Sequence, residues 1–309
     1  MRSADWLSGF AGVRADEPLA KHSQFGVGGP ADWFMRVRDE ATLTTLLRRC
    51  SESGVAVTVL GAGSNTLILD GGIRGLVIRL SDRGLRLVDS ETVQLTAACM
   101  LPRAALDLAR EGLTGLEFGI GVPGTCGASV AGNAGAFGTE VKDALLDCTA
   151  LGPGGERRTF DRTECGFSYR HSRFRDDLRP WIVTSARFTV HPDDATSVLA
   201  RTREVQARRK ATQPIGVRSL GSVFKNPPGD AAGRLIEACG LKGLRTGGAE
   251  ISKRHANFIV NAQSATAADV LSLVDRAQAA VQERFGVELE PEIVIAGEAV
   301  ARPEPSALR

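Results

Sequence analysis

The sequence predicts a chain of mixed α and β structure, organised in two or three domains. Three observations carry this expectation. Stretches with helical spacing of apolar residues are interleaved with β-branched runs of strand length. The 309 residues exceed one average domain. The 35 glycines exceed the usual share of about 7% and gather in loops between those elements.

Taken in order, Ala41–Cys50 puts Leu43, Leu46 and Leu47 on one helical face, and Ser53-Gly54 ends the helix. Val55–Leu60 is a β-branched strand that runs into Gly61-Ala62-Gly63-Ser64-Asn65. Thr66–Leu69 is a second apolar run, closed by the turn Asp70-Gly71-Gly72. Strands are expected at Gly75–Leu80, Leu85–Val88 and Val93–Ala98, and a helix at Leu101–Arg110. Residues 119–138 carry seven glycines in twenty positions, and no helix is expected to start within them. Strands at Ala144–Leu151 and Trp181–Val190 follow, then helices at Ala195–Lys210 and Ala231–Cys239. A strand at Asn257–Val260, a long helix at Ala267–Phe285 and a closing strand at Val287–Ile295 complete the pattern. The tail after Gly297, with Pro303 and Pro305, is expected to fray.

Composition excludes several classes. A formal charge of +2 gives no reason to expect a nucleic-acid or membrane partner. No stretch approaches the roughly 20 apolar residues of a membrane helix, and Met1–Gly12 has no apolar core of a secretory signal. The six cysteines form no C-x-x-C pair and read as small buried hydrophobes in a reducing, cytoplasmic setting. His22, His171, His191 and His255 have no metal-ligand spacing, so no metal is expected.

A glycine-rich loop after a strand exposes backbone N–H groups with no side chains in the way, which suits a pyrophosphate. Residues 61–65 and 119–138 are such loops. Gly119, Gly121 and Gly124 formally spell G-x-G-x-x-G, but Pro123 lies inside the match, so it is not a dinucleotide fingerprint. No G-x-x-x-x-G-K-[ST] is present. The competing reading, turns and close packing alone, suffices for one glycine; a run of seven favours phosphate cradling.

At these residues the chain resembles a known family. GAGSN (61–65) and GVPGTCGASVAGNAGAFG (121–138) look like the FAD-binding loops of the UDP-N-acetylenolpyruvoylglucosamine reductases. FGVGGPAD (25–32), YRHSRF (169–174) with GSVFKNP (221–227), and LEPEIVIAG (289–297) match in the family's order, across roughly residues 22–297. The resemblance implies an α+β chain of three domains with a vanillyl-alcohol-oxidase-type FAD-binding fold and a C-terminal α+β substrate domain. It implies FAD-binding subdomains at 1–84 (plus 287–309) and 85–194, and a substrate domain at 195–286. The chain holds one tyrosine, Tyr169, and is similar to the shorter, second type, which lacks a tyrosine-bearing cap loop. Cys126 and Leu220 depart from the more usual family residues.

The resemblance further implies NADPH-dependent reduction of UDP-N-acetylglucosamine enolpyruvate to UDP-N-acetylmuramate, a step in peptidoglycan precursor synthesis. Non-covalent FAD would be held by Gly61, Ala62, Gly63, Ser64, Asn65, Gly121, Pro123, Gly124, Gly127, Ala128, Gly132, Asn133 and Ala134. Hydride would pass from flavin N5 to the terminal carbon of the enol ether, so the adjacent carbon and its carboxylate gain enolate character. Ser222 aligns with the family's proton donor. Glu292 aligns with the glutamate near the enolate carbon, where a carboxyl must be protonated or well hydrogen-bonded. Glu290 lies on the same strand face, so periodicity leaves the two open. Arg170 offers a guanidinium fork to the carboxylate, with Arg173 and Arg175 nearby. Lys210, Lys225, Asn226, His255 and Tyr169 are the implied substrate contacts, His255 at the uracil end. Lys210 ends the run Arg208-Arg209-Lys210, which taken alone reads as a solvated helix end. The expected protein is a monomer.

Two other readings compete. An FAD oxidoreductase of the same fold acting on an alcohol or sugar would share the glycine loops but would not need GSVFKNP or LEPE. A flavin- or nucleotide-binding module would have no reason to carry Ser222, Glu292 and Arg170 together.

Overall fold

The structure, a computed structural model, describes residues 4–300. They divide into two compact units. The first comprises the chain up to Arg14, Phe34–Ser64 and Gly75–Ile215; the second comprises Ala15–Trp33, Asn65–Arg74 and the chain from Gly216.

In the first unit, α1 (Glu40–Glu52) begins where the Asp39 carboxylate accepts the Thr42 N–H at 2.7 Å, satisfying an otherwise orphan donor. Its apolar face of Leu43, Leu46, Leu47 and Cys50 is buried, and Gly54 at φ +65° closes it. Val57–Val59 pairs in parallel with Leu76–Ile78. An antiparallel sheet runs in the order Arg157–Asp161, Leu145–Leu151, Ile182–Thr189, Thr92–Thr96, Leu85–Leu87. Its alternating residues Val93, Leu95, Cys148, Ala150, Ala186 and Phe188 enter one core. Helix α2 (Leu101–Arg110) adds Leu101, Ala104 and Leu108 to that core.

Within the glycine run lies α3 (Cys126–Ala131), a helix the sequence did not lead us to expect. Its small residues allow it: a Cβ on Gly127 would fall 2.8 Å from the Ala97 methyl, so the helix packs directly on its neighbours. Its first N–H groups donate outward, Cys126 to Cys99 O at 2.8 Å and Gly127 to Ala97 O at 2.9 Å. A one-turn α4 (Val141–Ala144) follows, then α5 (Ala195–Thr212), capped by the Asp194 carboxylate. Helix α5 packs on α2 and on the turn Glu117–Gly121, within the first unit.

The second unit has a four-stranded antiparallel sheet in the order Ser219–Ser222, Phe258–Asn261, Ala249–Ile251, Arg245–Thr246. It packs with α6 (Ala232–Ala238) and α7 (Ala267–Phe285) around Leu235, Ile251, Val270, Leu273 and Val281. Helix α7 is fixed at both ends. Thr266 and Asp269 form a capping box, and Gly286 at φ +66° terminates it. Asp70 adds a further cap, its two carboxylate oxygens accepting Ala267 N–H at 3.0 Å and Ala268 N–H at 3.2 Å. The glycines of FGVGGPAD serve close packing: a Cβ on Gly29 would meet Asp70 O at 2.2 Å.

The closing strand is shorter than expected. Only Val294–Ala296 is strand, parallel to Thr66–Ile68. Pro291 has no N–H to give a ladder. Residues 289–293 instead lie against 223–225, with Lys225 N–H donating to Glu290 O and Glu292 N–H to Val223 O, both at 2.8 Å.

Replacing Asp70 by Ala should lower stability by about 1–2 kcal/mol, the scale of a lost helix cap. Urea denaturation of wild type and Asp70→Ala checks this, and Asp70→Asn should recover part of the loss.

Candidate active site

The first unit brings the two glycine loops together. A Cβ on Gly61 would lie 3.0 Å from Thr125 Oγ1 and 3.2 Å from the Ala128 methyl, and one on Gly124 would lie 3.9 Å from Ser64 Oγ. Among the described residues, the N–H groups of Gly61, Ala62, Gly63 and Ser64 donate to no acceptor, nor do those of Thr125 and Ala128. Ala62 and Gly63 are buried. Buried backbone donors are nearly always paired, so this cluster fits an anionic ligand such as a pyrophosphate.

Packing explains most of the longer run. A Cβ would collide at Gly121 with Ala136 (2.7 Å), at Gly127 with Ala97 (2.8 Å), at Gly132 with Arg175 (2.7 Å) and at Gly135 with Thr139 O (2.4 Å); at Gly124 it would meet nothing nearer than Ser129 Oγ at 3.5 Å. Asn133 is fully buried at φ +43°. Its amide N–H groups go to Glu140 Oε2 (2.9 Å) and Ser168 O (2.8 Å), and its oxygen accepts Lys142 N–H (3.0 Å). Its side chain therefore holds the protein together rather than a ligand.

Beside that asparagine, Arg170 sits at φ +56°, a left-handed conformation that costs a non-glycine residue about 1–3 kcal/mol. Its Nη1 donates to Glu140 Oε1 at 3.1 Å and its Nη2 to Gly135 O at 2.9 Å. Lys142 Nζ meets Glu140 Oε2 at 2.9 Å. Arg170 is largely buried, whereas Arg173 forms an exposed pair with Asp177. Arg175 donates to Arg170 O at 3.3 Å. Tyr169 is exposed, its ring centroid 5.0 Å from the Arg170 guanidinium.

In the second unit, Ser222 ends its strand opposite Phe258. The next residue, Val223, accepts the Glu292 N–H. Asn65, expected at the cofactor, donates its amide to Glu292 O at 3.1 Å. Glu292 is half-buried, while Glu290 is 69% exposed and pairs with Lys225 Nζ at 2.5 Å. The shared strand face does not exist, because this stretch is not a regular strand.

Comparison with known proteins then decides the family. The FAD binding domain model matches residues 31–161, and the model for the UDP-N-acetylenolpyruvoylglucosamine reductase C-terminal domain matches residues 213–296. The chain is 44% identical to UDP-N-acetylenolpyruvoylglucosamine reductase 2 of Symbiobacterium thermophilum, over 92% of each chain. It is also 44% identical to the Rubrobacter xylanophilus reductase, over 94% of this chain and 97% of that one. The chain belongs to the UDP-N-acetylenolpyruvoylglucosamine reductase family. The crystal structure of the Thermus caldophilus reductase superposes with a TM-score of 0.79 at 38% identity, covering 92% of this chain and 98% of that chain. The chain is thus an FAD-dependent oxidoreductase with an α+β fold.

The remaining expected contacts are placed as follows. Lys210 is exposed on the last turn of α5. Asn226 is exposed, its Oδ1 accepting Ala232 N–H at 3.1 Å at the start of α6. His255 is half-buried; its ring packs where a Cβ on Gly233 would stand, and Nδ1 accepts Asn257 N–H at 3.2 Å. Burial, then the charge of Lys242, lower its pKa, which keeps it neutral at pH 7 with the proton on Nε2. Cys50 and Cys126 are unsuited to nucleophilic work: burial pushes the Cys50 thiol up to about 11 and that of Cys126 up as well. Glu140 and Asn257 escaped the sequence reading. Only the E-x-x-D capping-box pattern of Glu140 and Asp143 could have drawn attention to the former.

Two outcomes follow. Gly61→Val should keep the fold by circular dichroism yet lose the 450 nm flavin absorbance, since its side chain would fill the space before Thr125 and Ala128. Proton NMR should find His255 titrating below 6.5. Its neutral form stabilises the fold above that pH, and the contribution declines as pH falls from 6.5 toward the folded-state pKa; His255→Gln should flatten that acid limb.

Proposed function

We propose that this protein reduces UDP-N-acetylglucosamine enolpyruvate to UDP-N-acetylmuramate with NADPH, for peptidoglycan precursor synthesis. The observation that carries the residue assignment is the backbone clasp joining Ser222's neighbour Val223 to the half-buried Glu292. Non-covalently bound FAD, held by the free N–H groups of Gly61–Ser64, Thr125 and Ala128, supplies the hydride. The glycine, proline and alanine positions of the second loop, Pro123 and Ala134 among them, shape the wall around it.

Within this reading, Ser222 Oγ gives a proton to the carbon that gains enolate character. Arg170, together with Glu292 as a protonated, hydrogen-bond-donating carboxyl, stabilises the charge on the adjoining carboxylate. A serine hydroxyl is a weak acid, so its proton moves only when it is placed against a strongly basic carbon. Orientation therefore counts for more than acidity. Arg170 offers a planar fork of N–H donors, already oriented by Glu140 and Gly135 O. Lys210, Lys225, Asn226, Tyr169 and the Nε2–H of His255 bind the nucleotide and sugar. A functional division into 1–84 with 287–309, 85–194 and 195–286 belongs to the same proposal, although α5 packs within the first unit.

Stopped-flow absorbance near 450 nm tests it. NADPH added anaerobically should bleach the flavin, and substrate should restore the colour. Recovery only on admitting oxygen would make the protein a different oxidoreductase. Ser222→Ala should bleach normally and recover at least 100-fold more slowly. Glu292→Gln should cripple recovery, and Glu290→Gln should leave it within a few-fold of wild type. The reverse pattern would exchange the two glutamates.

A further inference from the structure

The strand that ends at Ser222 leaves its sheet in an unusual way. Ser219 pairs with Val260 and Ser222 with Phe258, with a register shift between them at Gly221, φ +76°. Beyond Ser222 no regular ladder continues, yet Val223 and Phe224 are buried, and buried backbone groups require partners. One residue supplies three of the four, Val223 O being taken by Glu292 N–H. Asn257, 3% exposed, accepts the Val223 N–H on its main-chain oxygen at 2.8 Å. Its side chain takes both polar groups of the next residue: Oδ1 accepts Phe224 N–H at 2.9 Å and Nδ2 donates to Phe224 O at 2.8 Å. Its own N–H donates to His255 Nδ1. A side-chain amide here stands in for a strand of backbone. On the other side, the same segment carries the bridge between Phe224 and Pro291.

We propose that Asn257 is a positioning residue for proton delivery: it fixes the Ser222–Phe224 segment between Phe258 and the Glu290–Glu292 stretch and so sets where the Ser222 hydroxyl stands. The proposal rests on the reading of Ser222 as the proton donor. Asn257 touches neither substrate nor cofactor in this account. It acts through Val223 and Phe224, and through His255 it also fixes which ring nitrogen carries the proton.

An amide at this place cannot be exchanged for a carboxylate without a charge-dependent fault. In Asn257→Asp, Oδ1 can still accept from Phe224 N–H. The second oxygen faces the Phe224 carbonyl, acceptor against acceptor, unless it carries a proton. Burial raises the pKa of such a carboxyl, so acid restores the lost donor. The other titratable groups around this segment are His255 on its own stretch, Glu292 and the Lys225–Glu290 pair on the facing stretch, and the Lys242–Glu237 pair near His255. Wild type measured at each pH removes their titration from the comparison.

The test uses the FAD-loaded full chain and both half-reactions. At pH 8, Asn257→Asp should be bleached by NADPH at the wild-type rate, while substrate-dependent recovery slows about 100-fold, the scale of a 1 Å misplacement. Moving to pH 5.5 should regain at least tenfold of that loss relative to wild type. Asn257→Ser, which cannot bridge both groups and carries no charge, should recover slowly at both pH values. The melting temperature of Asn257→Asp relative to wild type should fall as pH rises from 5.5 to 8, because the folded state holds the proton more tightly. Should Asn257→Asp not fold at pH 8, the contrast between the Asp and Ser variants at pH 5.5 decides. Wild-type recovery in Asn257→Asp at pH 8, equal slowing of both half-reactions, or identical pH profiles for the two variants would overturn the proposal. If wild type itself shows no substrate-dependent recovery, the functional reading fails instead.

Discussion

A short antiparallel clasp organises the second unit: Glu292 N–H to Val223 O and Lys225 N–H to Glu290 O, each at 2.8 Å. The same stretch is held on its other edge by the first glycine loop's last residue. Asn65 donates to Glu292 O, and Val294 N–H donates back to Asn65 O at 2.9 Å. From residue 290 to 296 the chain therefore changes partners, first 223–225 and then 65–68. Pro291 makes the exchange possible, because it interrupts a ladder that would otherwise run straight on. The exchange sets side-chain direction. Glu290 turns outward to Lys225, and Glu292 stays half-buried.

Glycine has two separate uses in this chain, and its abundance conceals the difference. Around residues 121–135 it lets main chain and small side chains approach closer than any Cβ allows. That close approach admits α3 and brings the second loop against the first. Around residues 61–64 it leaves N–H groups without acceptors. The second use depends on the first, since a cradle of free donors needs a wall that stands near without filling the space.

The long periodic elements were legible in the sequence. The helices Leu101–Arg110 and Ala267–Phe285 have the bounds that their apolar spacing indicates. Shorter elements were less so, for definite reasons. The strand Pro30–Val37 opens on proline after a glycine cluster, which reads as a turn, and its buried Trp33, Phe34 and Met35 break the alternation of a half-exposed strand. The run Val287–Ile295 has β-branched residues at both ends, and the missing N–H of Pro291 hinted that its middle would leave the sheet. Helix α3 was hidden by glycines that disfavour helices intrinsically and are tolerated here for contact. At the site, a family likeness was needed to single out Ser222, which carries no local signal. The pairings of Asn257 with Phe224 and of Glu140 with Arg170 carried no signal, because the partners lie 33 and 30 residues apart along the chain, and no periodicity reports such a distance.

Glu140 raises a question of design, because a carboxylate already faces the arginine assigned to a substrate carboxylate. A buried pair of this kind contributes little net stability, since desolvation offsets much of the attraction. Its effect is on geometry. An arginine side chain loses about 2 kcal/mol of rotamer entropy when fixed; here Glu140 and Gly135 O fix it in the folded protein, before any ligand arrives. Glu140 is in turn held by Asn133 and Lys142, and Asn133 by Ser168 O, immediately before the Tyr169-Arg170 pair. The network closes on itself, which explains how two residues with positive φ, Asn133 and Arg170, persist side by side. A lysine at 170 would keep the charge and lose the fork, so it could not bind Glu140 and Gly135 O in this geometry. The arginine is retained for the shape of its donors as much as for its charge.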